Sequence, residues 1–189
     1  MKLDECNPAS TPIEQEMVSQ KADFKNDEAL PANNNYRFAI GSLLYLATIT
    51  RPDISFAVNY LSRFCNKPMK SHQAMVKRVF QYLRGTATAG IYFGGDKEFV
   101  AYIDSDFGGD SETGQSTSGV LVLGGGPIIW YSQKQRLVAT STAEAEYRAA
   151  VSVIDDVCWI KRISVELGIL EVDQLKVDNM SAIHMLHIL

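Results

Sequence analysis

Three acidic residues stand where this chain could gather them. Asp104 lies near the end of an apolar run, Glu146 in the first turns of a long helical pattern, and Asp178 just after a short β-like run. Carboxylates brought close repel one another unless a cation neutralises them, and hard oxygen donors suit Mg2+ or Mn2+. Such an ion activates a water and steadies a leaving oxygen, which is the chemistry of phosphodiester cleavage. The same residue types also cap helices and close strands, so spacing alone leaves a structural role open. A second feature is electrostatic. Residues 54–95 contain no Asp or Glu but hold Arg63, Lys67, Lys70, Lys77, Arg78 and Arg84, in a chain of net charge −4. A basic block on an acidic protein is the footprint of a polyanion-binding surface or of a solvated helix face.

The elements that must position these residues follow from periodicity. Residues 1–35 hold three prolines, seven acids and the run Asn33-Asn34-Asn35 without apolar periodicity, and read as a flexible tail or linker. A dense apolar segment from Tyr36 to Leu46 suits a buried helix that stops before Pro52. Pro52 suits the first turn of a second helix, and Ser71 can cap a third that Gly85 closes. These helices make a helical subdomain over residues 36–90. From residue 91 the pattern turns β-like, with short runs at 90–93, 98–103, 119–123 and 128–131 between glycine turns, which predicts a three-stranded antiparallel meander. Ser141-Thr142-Ala143-Glu144 is a capping box opening a long helix that runs to Gly168. Its core face is expected at Tyr147, Val151, Ile154, Cys158 and Ile163. A strand at 175–177 and a further helix from Ser181 complete an α/β domain over 91–189. With the first and fourth strands as parallel neighbours, Asp104 and Asp178 would emerge side by side under the helix that carries Glu146.

Composition narrows the class. A chain of 189 residues with 46% hydrophobic and 21% charged residues can bury a core and is too short for a large multidomain enzyme. No apolar run approaches the roughly 18 residues a membrane-spanning helix needs, so no membrane partner is expected. Asp4, Glu5 and Pro8 occupy the place of a signal peptide's apolar stretch, and the three cysteines are odd in number and widely spaced. An intracellular protein with free thiols is the expectation.

Five segments in order also resemble a known family: residues 101–110 (AYIDSDFGGD), 116–119 (STSG), 125–130 (GGPIIW), 141–147 (STAEAEY) and 177–183 (VDNMSAI). They are similar to the ribonuclease H region of copia-type LTR retrotransposon Pol polyproteins. Upstream, residues 41–46, 50–54 and 82–86 resemble the end of the reverse transcriptase of the same polyproteins, and residues 6–12 the link after the polymerase palm. The resemblance implies a ribonuclease H-like mixed sheet with helices and Mg2+-dependent (or Mn2+-dependent) cleavage of RNA in RNA/DNA hybrids. It carries the metal-binding acids onto Asp104, Glu146 and Asp178, and leads us to assign the hybrid backbone to Arg63, Lys67, Lys70, Lys77, Arg78 and Arg84. Asp106 and Glu144 are expected to face elsewhere. In the family a further strand and helix carry a fourth acid with a histidine nearby. This chain finishes before them, so a truncated sheet, an incomplete site and impaired activity are expected. His184 and His187 fall too early to match that histidine, and no Tyr-x-Asp-Asp polymerase motif occurs. Short copia-derived chains also resemble secreted RxLR effectors of oomycete plant pathogens. That resemblance implies a host protein partner, a host cytoplasmic or nuclear location and suppression of host cell death without catalysis. Its motif is degenerate here, at Gln81-Tyr82-Leu83-Arg84.

Overall fold

The computed structural model describes residues 7–19, 27–95 and 99–168, and the backbone of residues 172–177. The chain divides into two compact units, Met1–Gly90 and Ile91–Leu189.

In the first unit, α1 (Gln15–Ser19), α2 (Tyr36–Ile49), a 3-10 turn (Pro52–Ile54), α3 (Ser55–Ser62) and α4 (Lys70–Gly85) surround one apolar core. Pro52 opens its turn where the missing N–H costs nothing, because the first helical amides have no intrahelical partner. Ile40, Leu43, Ile54, Val58, Leu61 and Val79 are excluded from solvent. The Tyr36 hydroxyl, buried among them, donates to the Leu61 carbonyl at 2.8 Å, so its polar tip does not forfeit a hydrogen bond.

Two expectations change here. Much of the expected tail is tied to the helices: Ile13, Met17 and Leu30 pack on the core, Ala29 forms a β-bridge with Met69, and the Leu30 N–H donates to the Pro68 carbonyl at 2.9 Å. Three isolated apolar residues are too sparse to register as a period, yet each finds a place on a preformed core. Gly85 packs against the same segment, because a Cβ there would lie 3.0 Å from the Pro8 ring. The second change is at the start of α4, which begins before Ser71. His72 reaches back from the third helical position and its Nδ1 accepts the Met69 N–H at 3.1 Å, while the ring stacks on Phe64 with centroids 3.8 Å apart. Burial pushes the His72 pKa below its usual value, so the neutral ring that can accept this bond is favoured.

The second unit contains β1 (Phe99–Asp106), β2 (Thr117–Gly124), β3 (Pro127–Lys134), α5 (Thr142–Glu166) and β4 (Val172–Val177). The sheet order is β3-β2-β1-β4, with β1, β2 and β3 antiparallel and β4 parallel to β1. The antiparallel meander and the parallel β1–β4 neighbours match expectation. The run at 90–93 forms no strand; the following Gly94 and Gly95 amides donate to the Gly125 carbonyl at 2.7 and 3.1 Å, tying the segment to the β2–β3 turn. The capping Ser141 accepts the Glu144 N–H at 3.1 Å, and Gly168 follows α5 at φ +66°, the left-handed conformation glycine adopts without strain.

The buried face of α5 differs from the one periodicity selects. Val151, Ile154 and Cys158 are exposed, and the buried stripe is Ala145, Glu146, Ala149, Ala150, Val153, Ile160 and Ser164. Alanines let the helix axis approach the sheet closely, so small residues, not the largest apolar ones, mark the packing against Ala101, Ile103, Val120 and Val122.

Candidate active site

Alternation along β1 sorts its side chains. Ala101, Ile103 and Ser105 are buried beneath α5, whereas Tyr102, Asp104 and Asp106 are exposed. The close packing of α5 brings Glu146 into the interface at 3% exposure, where its Oε1 accepts the Ser105 N–H at 3.2 Å. That amide nitrogen belongs to the peptide unit joining Asp104 to Ser105, so the buried carboxylate sits one peptide from Asp104, whose side chain alternates to the exposed side of the strand and does not lie under the helix as expected. The Asp104 carboxylate makes no hydrogen bond or ion pair with a described residue. Asp178, the third expected member, lies outside the described residues, as do His184, His187 and the helix expected from Ser181. The last described residue of β4, Val177, is the register partner of Ile103. No group of three His, Cys, Asp or Glu that could hold a metal ion occurs among the described residues.

The two neighbouring acids have other tasks. Asp106, two residues beyond Asp104, shares its exposed face and does not turn away as expected. Its Oδ1 accepts the Thr117 N–H, and a methyl group on Gly109 would collide with its carboxylate. Glu144 accepts from the Thr140 hydroxyl at 2.6 Å and amide at 2.7 Å and pairs with Arg148 at 2.6 Å; these bonds lower its pKa to about 2. The loop between β1 and β2 is organised by Asp110. Its Oδ1 accepts from the Glu112 and Thr113 amides and the Thr113 hydroxyl, and its Oδ2 holds Lys134 at 2.6 Å. Although burial opposes it, this set of donors keeps the Asp110 carboxyl well below the usual range.

Sequence reading missed the buried polar residues at the end of β1 and the start of β2. Ser105, Ser116, Thr117 and Ser118 are all buried, and Gln135 donates from Nε2 to Ser118 Oγ at 3.0 Å and to the Ala145 carbonyl at 2.9 Å. The signal was a run of hydroxyl residues entering a strand that otherwise alternates apolar and polar.

In the helical unit, the six basic residues do not act as one set. Lys70, Lys77 and Arg84 recur every seven residues and are exposed along one side of α4. Arg78 turns to Glu14 at 2.7 Å and Thr11 at 3.0 Å, Lys70 pairs with Glu28 at 2.5 Å, and Arg63 lies over the Tyr60 ring and bonds Asn59. Lys67 and Lys77 make no ion pair with a described residue. Tyr82 and Leu83 of the tetrapeptide 81–84 pack on the helical core.

Over 167 residues, 87% of its length, the chain is 41% identical to the retrovirus-related Pol polyprotein from transposon RE2 of Arabidopsis thaliana. Over 169 residues it is 39% identical to the polyprotein from transposon TNT 1-94 of Nicotiana tabacum. The chain belongs to the retrovirus-related transposon Pol polyproteins. It spans 11% and 13% of those two relatives. It is also 42% identical, over 131 residues, to secreted RxLR effector protein 161 of Plasmopara viticola, covering 92% of that protein. No family model and no solved structure matches the chain. Within the Pol family, the aligned region includes both units. No described helix is long and apolar enough to cross a membrane.

Proposed function

We propose that this retrotransposon-derived chain carries a ribonuclease H-like unit whose activity is metal-dependent cleavage of RNA in RNA/DNA hybrids. The observation that carries the reading is the Glu146 carboxylate, buried at the Ser105 amide one peptide from the exposed Asp104. The mixed sheet with α5 packed across it supports the same reading. A hard divalent cation fits this donor set: two carboxylates, one held rigidly by a backbone amide and one without a protein partner among the described residues. Mg2+ or Mn2+ would be held by Asp104 and Glu146, with Asp178 as third donor, and would supply an activated water and charge neutralisation at the scissile phosphate. Glu146, fixed from below, orients one ligand before substrate arrives, and Asp104 presents the second at the open face.

The test is cleavage of a labelled RNA/DNA hybrid by the full chain in Mg2+ and in Mn2+, beside Asp104→Asn. Cleavage that the variant loses supports the reading. A folded chain that leaves the hybrid intact in both ions removes it. For the helical unit, we assign the hybrid backbone to the exposed row Lys70, Lys77 and Arg84, with Arg63, Lys67 and Arg78 as contributors. Lys77→Glu combined with Arg84→Glu is expected to weaken hybrid binding and reduce the slope of log K against log salt by about two, one for each phosphate no longer neutralised. An unchanged slope in a binding titration would take this row out of the interface.

The near full-length match to an RxLR effector favours a second reading, a secreted effector that binds a host protein. The two separate on one variant: an effector keeps its effect on host cells with Asp104→Asn, whereas a nuclease loses it.

A further inference from the structure

We propose that Gln135 is a positioning residue for Glu146. The proposal rests on the reading of Glu146 as a metal carboxylate.

Gln135 follows β3 directly, and its own N–H donates to the Ser116 carbonyl at 2.8 Å, which fixes its backbone against the start of β2. From there the side chain spans two elements. Nε2 donates to Ser118 Oγ on β2 and to the carbonyl of Ala145 in the first turns of α5. Ala145 immediately precedes Glu146, and Ser118 is the register partner of Ser105, whose N–H donates to the Glu146 carboxylate. Gln135 therefore closes a circuit from β1 through β2 to α5 and back to β1, with Glu146 as its last member.

The chemistry selects the residue type. The Ala145 carbonyl only accepts, so the group facing it must donate, and this settles which end of the amide points there. Glutamate has the same shape but offers no donor and would set a carboxylate against that carbonyl. Asparagine keeps the donor on a stem one methylene shorter. A hydrophobic residue would leave the carbonyl and the Ser118 hydroxyl without this partner. Because α5 meets the sheet through alanines, a small rotation of its first turns moves Glu146 relative to Ser105 without opening the apolar core. The Ser105 N–H reports that movement directly.

The experiment is nuclear magnetic resonance on the full chain, comparing wild type, Gln135→Glu and Ser118→Ala. The readouts are the Ser105 amide shift, its hydrogen-exchange rate and broadening by added Mn2+. Gln135→Glu is expected to shift the Ser105 amide, speed its exchange at least about tenfold and weaken Mn2+ binding about 10- to 100-fold, the range typical of groups that orient a metal ligand. Exchange at Val122 in the same sheet and at Leu43 in the helical unit should stay unchanged, whereas general destabilisation would raise all of them. Ser118→Ala, which keeps the Ala145 bond, should show a smaller change in the same direction. If Gln135→Glu fails to fold, Ser118→Ala carries the same decision. A Ser105 amide identical to wild type in a folded variant overturns the positioning role. Wild type unaffected by Mn2+ overturns the metal reading, and with it the role of Gln135 toward a metal, even where the Ser105 amide responds.

Discussion

Gln in place of Glu146 is expected to raise the unfolding temperature of the metal-free chain while lowering hybrid cleavage about 100-fold or more. The two effects share one cause. Glu146 is 3% exposed, and a carboxylate held there has lost most of its hydration. The Ser105 amide donates to it, and in the metal-free chain the charge still carries the cost of that desolvation. The isosteric amide keeps an oxygen that accepts the same N–H and removes the buried charge, which relieves a desolvation penalty of about 1 kcal/mol or more. A neutral amide holds a divalent cation far less well than a carboxylate, so the loss should exceed the 10- to 100-fold seen for groups that merely orient a ligand. Glu146→Leu is the contrasting variant. It leaves the buried Ser105 N–H without its acceptor, a cost of about 1–3 kcal/mol, and should lower the unfolding temperature. Thermal melts without divalent cation, run beside the hybrid assay, check both halves. A Glu146→Gln chain that cleaves normally would detach Glu146 from the chemistry.

Arg51→Ala should destabilise the helical unit by about 1–2 kcal/mol, read as a fall in the urea midpoint. Arg51 is 8% exposed and forks onto Asp53 at 2.9 and 2.7 Å, while its other donors reach the Thr86 carbonyl at 3.2 Å and hydroxyl at 2.6 Å. The Tyr82 hydroxyl donates to the same Asp53 carboxylate at 2.7 Å. One guanidinium thus ties the turn before α3 to the end of α4. Asp53 is exposed, so water takes up much of what its carboxylate loses and the change falls well below the about 3–5 kcal/mol of a fully buried pair. The same bonds give the wild type an acid limb. Hydrogen bonding to Arg51 lowers the Asp53 pKa below its ordinary value. The unfolded chain therefore binds the proton more readily, and Asp53's contribution is complete above about pH 4 and disappears as pH falls through the lower folded-state value. In Arg51→Ala that limb should flatten. Equal acid sensitivity of the two proteins would show that the pair adds nothing.

How far the sequence foretold this structure depends on what each signal measures. Pro52, Ser141, Gly168 and the glycines after β2 mark backbone events with local causes, and they fall where the chain turns, starts or stops. The parallel β1–β4 neighbours followed from the order of elements, and the position of Glu146 in the first turns of α5 followed from its capping box. The buried face of α5 was misread because periodicity weighs large apolar residues. The helix instead meets the sheet through Ala145, Ala149 and Ala150, whose small size sets the distance of approach. The segment 90–93 has strand composition, but the chain after it bonds to the β2–β3 turn instead of joining a ladder. Ile13, Met17 and Leu30 illustrate a third kind of miss: their places exist only once α2, α3 and α4 have made a core. Gln135 was invisible for a similar reason, since its partners come from two elements distant in sequence.

The sheet order also dictates a sequence of events in folding. β1 and β2 are joined by a ten-residue loop and β2 and β3 by a two-residue turn, so this meander closes at smaller entropic cost than the β1–β4 pairing and is expected to form first. β4 pairs with β1 only after the 65 residues between Asp106 and Val172 have been looped out, with α5 among them. On a chain growing from its N-terminus, the meander is complete and α5 can dock before β4 is available. The bond between Glu146 and the Ser105 amide joins α5 to β1 without β4, so a released fragment ending before residue 172 is expected to hold that pair already.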